Sequence, residues 1–148
     1  MNRISLRRSV LRANAAYLGI AAVVSFFTLD LRAVLFNQGP ERILLGDSTL
    51  AAIGFIEAHG LALILAIVFW SVAPARFWHA IAAATSSLLG ICNLTFWEGF
   101  VISDSVAMGV VATSLHLAFG ATQIVLAATS TASRAIPHTV TPVTARPA

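Results

Sequence analysis

Residues 53–70 read IGFIEAHGLALILAIVFW, a run that is apolar enough to lie in lipid although it carries Glu57 and His59 near its start. A membrane-spanning helix needs about 20 mostly apolar residues to cross a hydrocarbon core about 30 Å thick. Three further stretches of the chain meet this requirement. The sequence therefore predicts an all-α, polytopic membrane protein, a four-transmembrane-helix bundle over residues 13–129. Its spans are predicted at about 13–29, 50–70, 77–97 and 105–129.

The composition fits a lipid environment. The chain has 148 residues, of which 58% are hydrophobic and 10% are charged, whereas a soluble domain carries about 25% charged residues. Its formal net charge is +3, but the basic residues cluster only before the first span. A nucleic-acid partner requires a basic face on a folded domain, so we expect none. The expected partner is the lipid bilayer, together with a second copy of the chain or a membrane complex.

The distribution of arginine predicts the orientation, because cytoplasmic segments collect basic residues. Four spans place seven arginines on one side and two, Arg32 and Arg42, on the other. We therefore expect residues 1–12 to be a basic cytoplasmic N-terminus and residues 130–148, rich in Thr, Pro and Ala, to be a disordered cytoplasmic tail. Basic residues that are all arginine, in an Ala-rich chain, favour a bacterial inner membrane. The seven are Arg3, Arg7, Arg8, Arg12, Arg76, Arg134 and Arg146.

Motifs that would indicate an enzyme are missing from the sequence. It contains no Gly-rich phosphate loop, no HExxH and no nucleophile elbow, so we do not expect catalysis. A single cysteine, Cys92, excludes a disulfide within one chain. In its four spans and cytoplasmic termini the chain resembles small bacterial DoxX-type membrane proteins. That resemblance is one of architecture, and it assigns no role to any residue.

Small and polar residues form a stripe on each of the last two predicted spans. Such stripes let helix backbones approach closely in lipid, so we expect them to face each other inside the bundle. On the inner side the stripes place His79 and Gln123 at comparable depth, where they can form a hydrogen-bonded pair. The stripes are His79, Ala83, Ser86, Gly90, Asn93 and Trp97 on one span, and Gly109, Ala112, His116, Gly120 and Gln123 on the other.

The second span raises the question of why Glu57 and His59 lie in lipid. Two residues of helix rotate by about 200°, so these side chains point in opposite directions. If a strip of small residues faces the bundle axis, Glu57 and His59 flank it. Depths counted along the spans then place His59 level with His116, and Asn93 within reach of Glu57. We expect Glu57, His59, His116 and Asn93 to form an intramembrane polar site; the strip is Ala51, Gly54, Ala58, Ala62 and Ala66.

Three functions are compatible with these residues. The first is a structural or accessory membrane protein, in which the histidines pack and Glu57 joins helices by hydrogen bonds. The second is a membrane redox subunit that binds quinone, or haem b with His59 and His116 as axial ligands. The third is an oligomeric proton-coupled transporter component in which Glu57 titrates. A metal site built from His59, His116 and Glu57 is not expected, because Glu57 points away from His59.

Overall fold

A computed structural model describes residues 3–46 and 49–129 of the chain, and within these residues the regular structure is helical. Four helices are long and apolar enough to cross a membrane, which confirms the predicted all-α, four-helix, multi-pass architecture. In chain order the elements are α1 (Arg3–Ser25), a π-helical turn (Phe26–Asp30), α2 (Leu31–Phe36), α3 (Pro40–Leu45), a 3₁₀ turn (Thr49–Ala51), α4 (Ala52–Ser71), α5 (Arg76–Thr95), α6 (Trp97–Ile102) and α7 (Val106–Ala128).

The first span is longer than the sequence predicts. α1, the π turn and α2 form one continuous helix of 34 residues, Arg3–Phe36. At 1.5 Å per residue this helix is about 51 Å long, so it extends beyond a hydrocarbon core of about 30 Å. Much of the predicted basic N-terminus is therefore helical. The predicted tail, residues 130–148, lies outside the described residues.

The spans pack as two pairs, α1 with α4 and α5 with α7. The stripes on α5 and α7 face each other as predicted. A Cβ added at Gly90 would lie 2.7 Å from the Leu117 side chain, and one added at Gly120 would lie 2.7 Å from Ser87 Oγ. A core that includes Ala82 of α5 joins the two pairs; its buried members are Leu11, Ala15, Leu18, Ala66, Phe69 and Ala82.

The segment between the first two spans folds back over one end of the bundle. The long helix ends at Asn37, which adopts a left-handed conformation with φ 56°. Gly39, at φ 92°, then turns the chain into α3, and this conformation favours glycine because it has no Cβ. α3 is held by a small second core of Ala33, Leu45 and Ala52. This arrangement carries the first turn of α3 onto the end of the long helix.

Candidate metal centre

An aspartate and a histidine meet at the end of the α1–α4 pair. Asp30 closes the π turn, and His59 lies on the second turn of α4. His59 Nδ1 is 2.8 Å from Asp30 Oδ2 and 3.0 Å from Asp30 Oδ1. The Asp30 side chain is fully buried, whereas that of His59 is 23% exposed. A buried carboxylate is costly unless it is paired, and His59 supplies a partner for Asp30.

Glu41 adds a second buried carboxyl group. It lies in the first turn of α3 and is 6% exposed. One ligand atom from each of Asp30, Glu41 and His59 can be chosen so that all three lie within 4.8 Å of one another. Burial, with a hydrogen bond to Asp30 and repulsion by its charge, raises the pKa of Glu41 to about 8. We call these three residues the Asp30–Glu41–His59 cluster.

The π turn explains why an acidic residue faces the interior. Along α1 the buried positions Leu11, Ala15, Leu18 and Ala22 recur at intervals of three and four residues. A regular helix would bring Leu29, seven residues after Ala22, to the same face. The π turn accommodates one extra residue, so Asp30 is buried in its place. Turns of this kind are often found at functional sites.

The cluster has donor atoms suited to a divalent transition metal. One imidazole nitrogen and two carboxylates are ligands that Zn²⁺ and related ions accept, at bond lengths of about 2.0–2.2 Å. Two ligand atoms at that distance from one tetrahedral ion are about 3.3–3.6 Å apart. The 2.8 and 3.0 Å separations between His59 Nδ1 and the Asp30 oxygens are hydrogen-bond distances, so the two groups would move apart by about 0.3–0.8 Å to hold one ion. Two carboxylates would also balance the double positive charge of such an ion.

Glu57 and His59 do not both lie beside the bundle interior. His59 lies on the inward face of α4 with the buried Ala52, Ala66 and Phe69, whereas Glu57 is exposed. The prediction that the strip of small residues on α4 faces the bundle axis was wrong, because three of its five members are exposed. These three are Ala51, Gly54 and Ala58.

His59 and His116 were wrongly predicted to share one depth. The His116 ring lies 5.1 Å, between centroids, from that of Tyr17. Tyr17 is two residues from Gly19, where an added Cβ would lie 3.4 Å from Ala66 Cβ. His59 is seven residues from Ala66, so it lies about 10 Å along the bundle from that level. The two rings therefore do not face one haem iron.

Asn93 lines a cavity that Glu57 does not reach. Asn93 is half-buried and lines a cavity of about 610 Å³ together with Phe55, Glu98 and mostly apolar side chains. Glu57 does not line this cavity. The four residues predicted to form an intramembrane polar site are thus dispersed: His59 is paired with Asp30, His116 packs on Tyr17, Asn93 faces the cavity and Glu57 faces outward.

The structure does bring the predicted inner pair together. His79 Nδ1 lies 2.5 Å from Gln123 Oε1, and both side chains are fully buried. A further buried pair, Asn14 and Ser86, joins α1 to α5 with 3.3 Å between Asn14 Nδ2 and Ser86 Oγ. These pairs hydrogen-bond across helices, which is the usual role of polar side chains in membrane bundles.

Asp30 and Glu41 were not predicted from the sequence to belong to a site. Both lie between the first two predicted spans, 13–29 and 50–70, and not inside either one. One available signal was that Asp30 directly follows the apolar run FFTL.

Comparison with protein-family models, with curated proteins and with solved structures finds no match to this chain.

Proposed function

We propose that this protein is a non-enzymatic membrane protein that binds a divalent transition-metal ion at the Asp30–Glu41–His59 cluster. The observation that carries the proposal is the convergence of three ligand-type side chains from α1–α2, α3 and α4, two of them carboxyls that are more than nine-tenths buried. Bound metal would link α3 to both spans. This gives the structural or accessory role expected from the sequence a specific chemistry.

We place the protein in a bacterial inner membrane with both termini in the cytoplasm. The arginine distribution supports this orientation, and four is an even number of spans, as two ends on one side require. The Asp30–Glu41–His59 cluster would then lie at the periplasmic end of the bundle. Metal ions that reach the periplasm would have direct access to it through the exposed part of His59.

A titration with Co²⁺ tests the metal proposal. Co²⁺ takes the same ligands as Zn²⁺ and gives visible absorption bands when protein side chains bind it. We expect the metal-free, detergent-purified protein to bind one Co²⁺, to lose it to Zn²⁺ and to keep it in excess Mg²⁺. Glu41→Gln and His59→Gln should each weaken binding by at least about tenfold, since even indirect partners of metal ligands contribute that much.

Glu57→Gln is the matched control, because it removes a carboxyl from the same helix as His59 without touching the cluster. Circular dichroism of each variant establishes that the helices remain formed. Co²⁺ binding that is equal in Glu41→Gln, Glu57→Gln and the unaltered protein would remove the cluster from the proposal. A protein that gives no Co²⁺ bands would end the proposal.

The other functions expected from the sequence receive less support. Haem held by His59 and His116 would need both rings on one iron, and they lie at different levels. Proton transport through Glu57 would need that carboxyl beside a path, and it is exposed on the outer face of α4. The cavity beside Asn93 has room for a quinone, but its lining does not select one.

A further inference from the structure

The opposite end of the bundle carries a basic pocket between the first and last spans. A cavity of about 270 Å³ is lined by Arg3, Leu6 and Arg7 of α1 and by Leu126 and Thr129 at the end of α7. Arg3 and Arg7 are four residues apart, so they lie on the same face of the helix. No acidic residue lines this pocket within the described part of the chain.

Arg7 is the central polar group of the pocket. It is half-buried, and its Nη2 lies 3.5 Å from Thr129 Oγ1 across the two spans. A guanidinium carries five N–H donors in a planar fork, which suits the paired oxygens of a phosphate. The contact with Thr129, which is long at 3.5 Å, engages at most one of these donors.

The depth of the pocket can be read from a neighbouring contact. Arg12 lies 5.4 Å from the ring centroid of Trp70, and tryptophan marks the membrane–water interface. Arg7 is five residues nearer the N-terminus, about 7.5 Å beyond that level. Each headgroup layer is about 5–8 Å thick. With Trp70 at the boundary between this layer and the hydrocarbon core, the backbone of Arg7 would lie near the level of the lipid phosphates.

We propose that this pocket binds the phosphate of an anionic phospholipid. Arg3 and Arg7 would donate hydrogen bonds to the phosphate oxygens, whereas the Thr129 hydroxyl donates its proton to Val125 O and accepts from Arg7. Leu126 lies three residues, about 4.5 Å, nearer the bilayer core than Thr129 and would contact the start of an acyl chain, which favours a lipid over free phosphate. Basic pockets between spans on the cytoplasmic side of membrane proteins bind such headgroups. This inference is independent of the metal proposal, because the two sites lie at opposite ends of the bundle.

Thermal unfolding in detergent, with added lipid, tests the inference. Phosphatidylglycerol, phosphatidylcholine and inorganic phosphate are titrated separately, and native mass spectrometry counts the lipids retained. We expect phosphatidylglycerol to raise the unfolding temperature more than the other two. Arg7→Gln should weaken phosphatidylglycerol binding at least about tenfold, since it removes charge-assisted hydrogen bonds to the phosphate that an arginine outside the pocket does not make.

Arg8→Gln is the matched control, because Arg8 is exposed on the same helix and does not line the pocket. It removes the same charge and should leave phosphatidylglycerol binding within about twofold. Equal losses in Arg7→Gln and Arg8→Gln would reduce the effect to general surface charge and overturn the pocket. Equal stabilisation by phosphatidylcholine, or by inorganic phosphate, would overturn the choice of an anionic lipid.

Discussion

At the scale of single residues, the direction of a side chain matters more than its presence in a span. Glu57 and His59 are two residues apart and about 200° apart around α4. His59 faces inward and has Asp30 as its partner, whereas Glu57 is exposed. An ionisable residue within a span is a reasonable functional hypothesis. Here the structure supports a functional role for His59, which has a partner on another span. It gives no such support for Glu57.

At Gly120 the addition of one methyl group should lower the stability of the bundle. A Cβ there would lie 2.7 Å from Ser87 Oγ and 3.3 Å from the Ser87 backbone nitrogen. We therefore expect Gly120→Ala to push α7 away from α5 and to lower the free energy of unfolding by about 1–3 kcal/mol, the usual cost of overpacking. Thermal unfolding in detergent, monitored by circular dichroism, measures this change.

Gly60→Ala serves as the control for that substitution. No atom lies within 4 Å of a Cβ added at Gly60. Alanine is a better helix former than glycine by about 1 kcal/mol, so Gly60→Ala should leave stability unchanged or raise it. If Gly120→Ala were as stable as Gly60→Ala, the close approach of α5 and α7 at Ser87 would be wrong.

At the scale of elements, hydropathy and helical periodicity predicted what depends on local sequence. The four spans follow from four apolar runs, and the facing of α5 and α7 follows from Gly90, Gly120 and the polar residues between them. The His79–Gln123 contact follows from the same periodicity and similar depth. These features could be predicted because each of these helices is regular. In a regular helix, the repeat of 3.6 residues per turn assigns every residue to a face.

The Asp30–Glu41–His59 cluster could not be predicted in the same way. It depends on one irregular turn, which adds a residue to the repeat and buries Asp30 instead of Leu29. It also depends on α3 folding back over the bundle, which is set by Asn37, Gly39 and the small core around Leu45. Both are tertiary features. A prediction that assumes uniform helices therefore does not find Asp30. It also places His116 at the wrong depth relative to His59.

At the scale of the whole molecule, the two ends of the bundle carry opposite chemistry. Five of the seven arginines in the described residues lie at one end, with the Arg12–Trp70 contact and the pocket between α1 and α7, whereas Arg32 and Arg42 lie at the other end. Buried carboxyls and His59 lie at the other end. Under the two proposals, an anionic lipid would bind at the first end and a metal cation at the second.

Cysteine accessibility tests the orientation. Cys92→Ser removes the single native thiol, and Gln38→Cys or Ala75→Cys then places one thiol in an exposed connection at each end of the bundle. Because cytoplasmic segments collect arginine, we expect a membrane-impermeant maleimide to label Gln38→Cys in cells with a permeable outer membrane. Ala75→Cys should react only after the inner membrane is opened. The reverse pattern would invert the orientation.

X-ray absorption at the metal edge of the Zn²⁺-loaded, detergent-purified protein tests most directly whether the metal ion binds at the proposed cluster. The Asp30–Glu41–His59 cluster predicts one imidazole and otherwise oxygen donors at about 2.0–2.2 Å, with the imidazole signal lost in His59→Gln. A sulfur donor would place the ion at Cys92 instead. Two or more imidazoles, or a spectrum unchanged in His59→Gln, would likewise contradict the account.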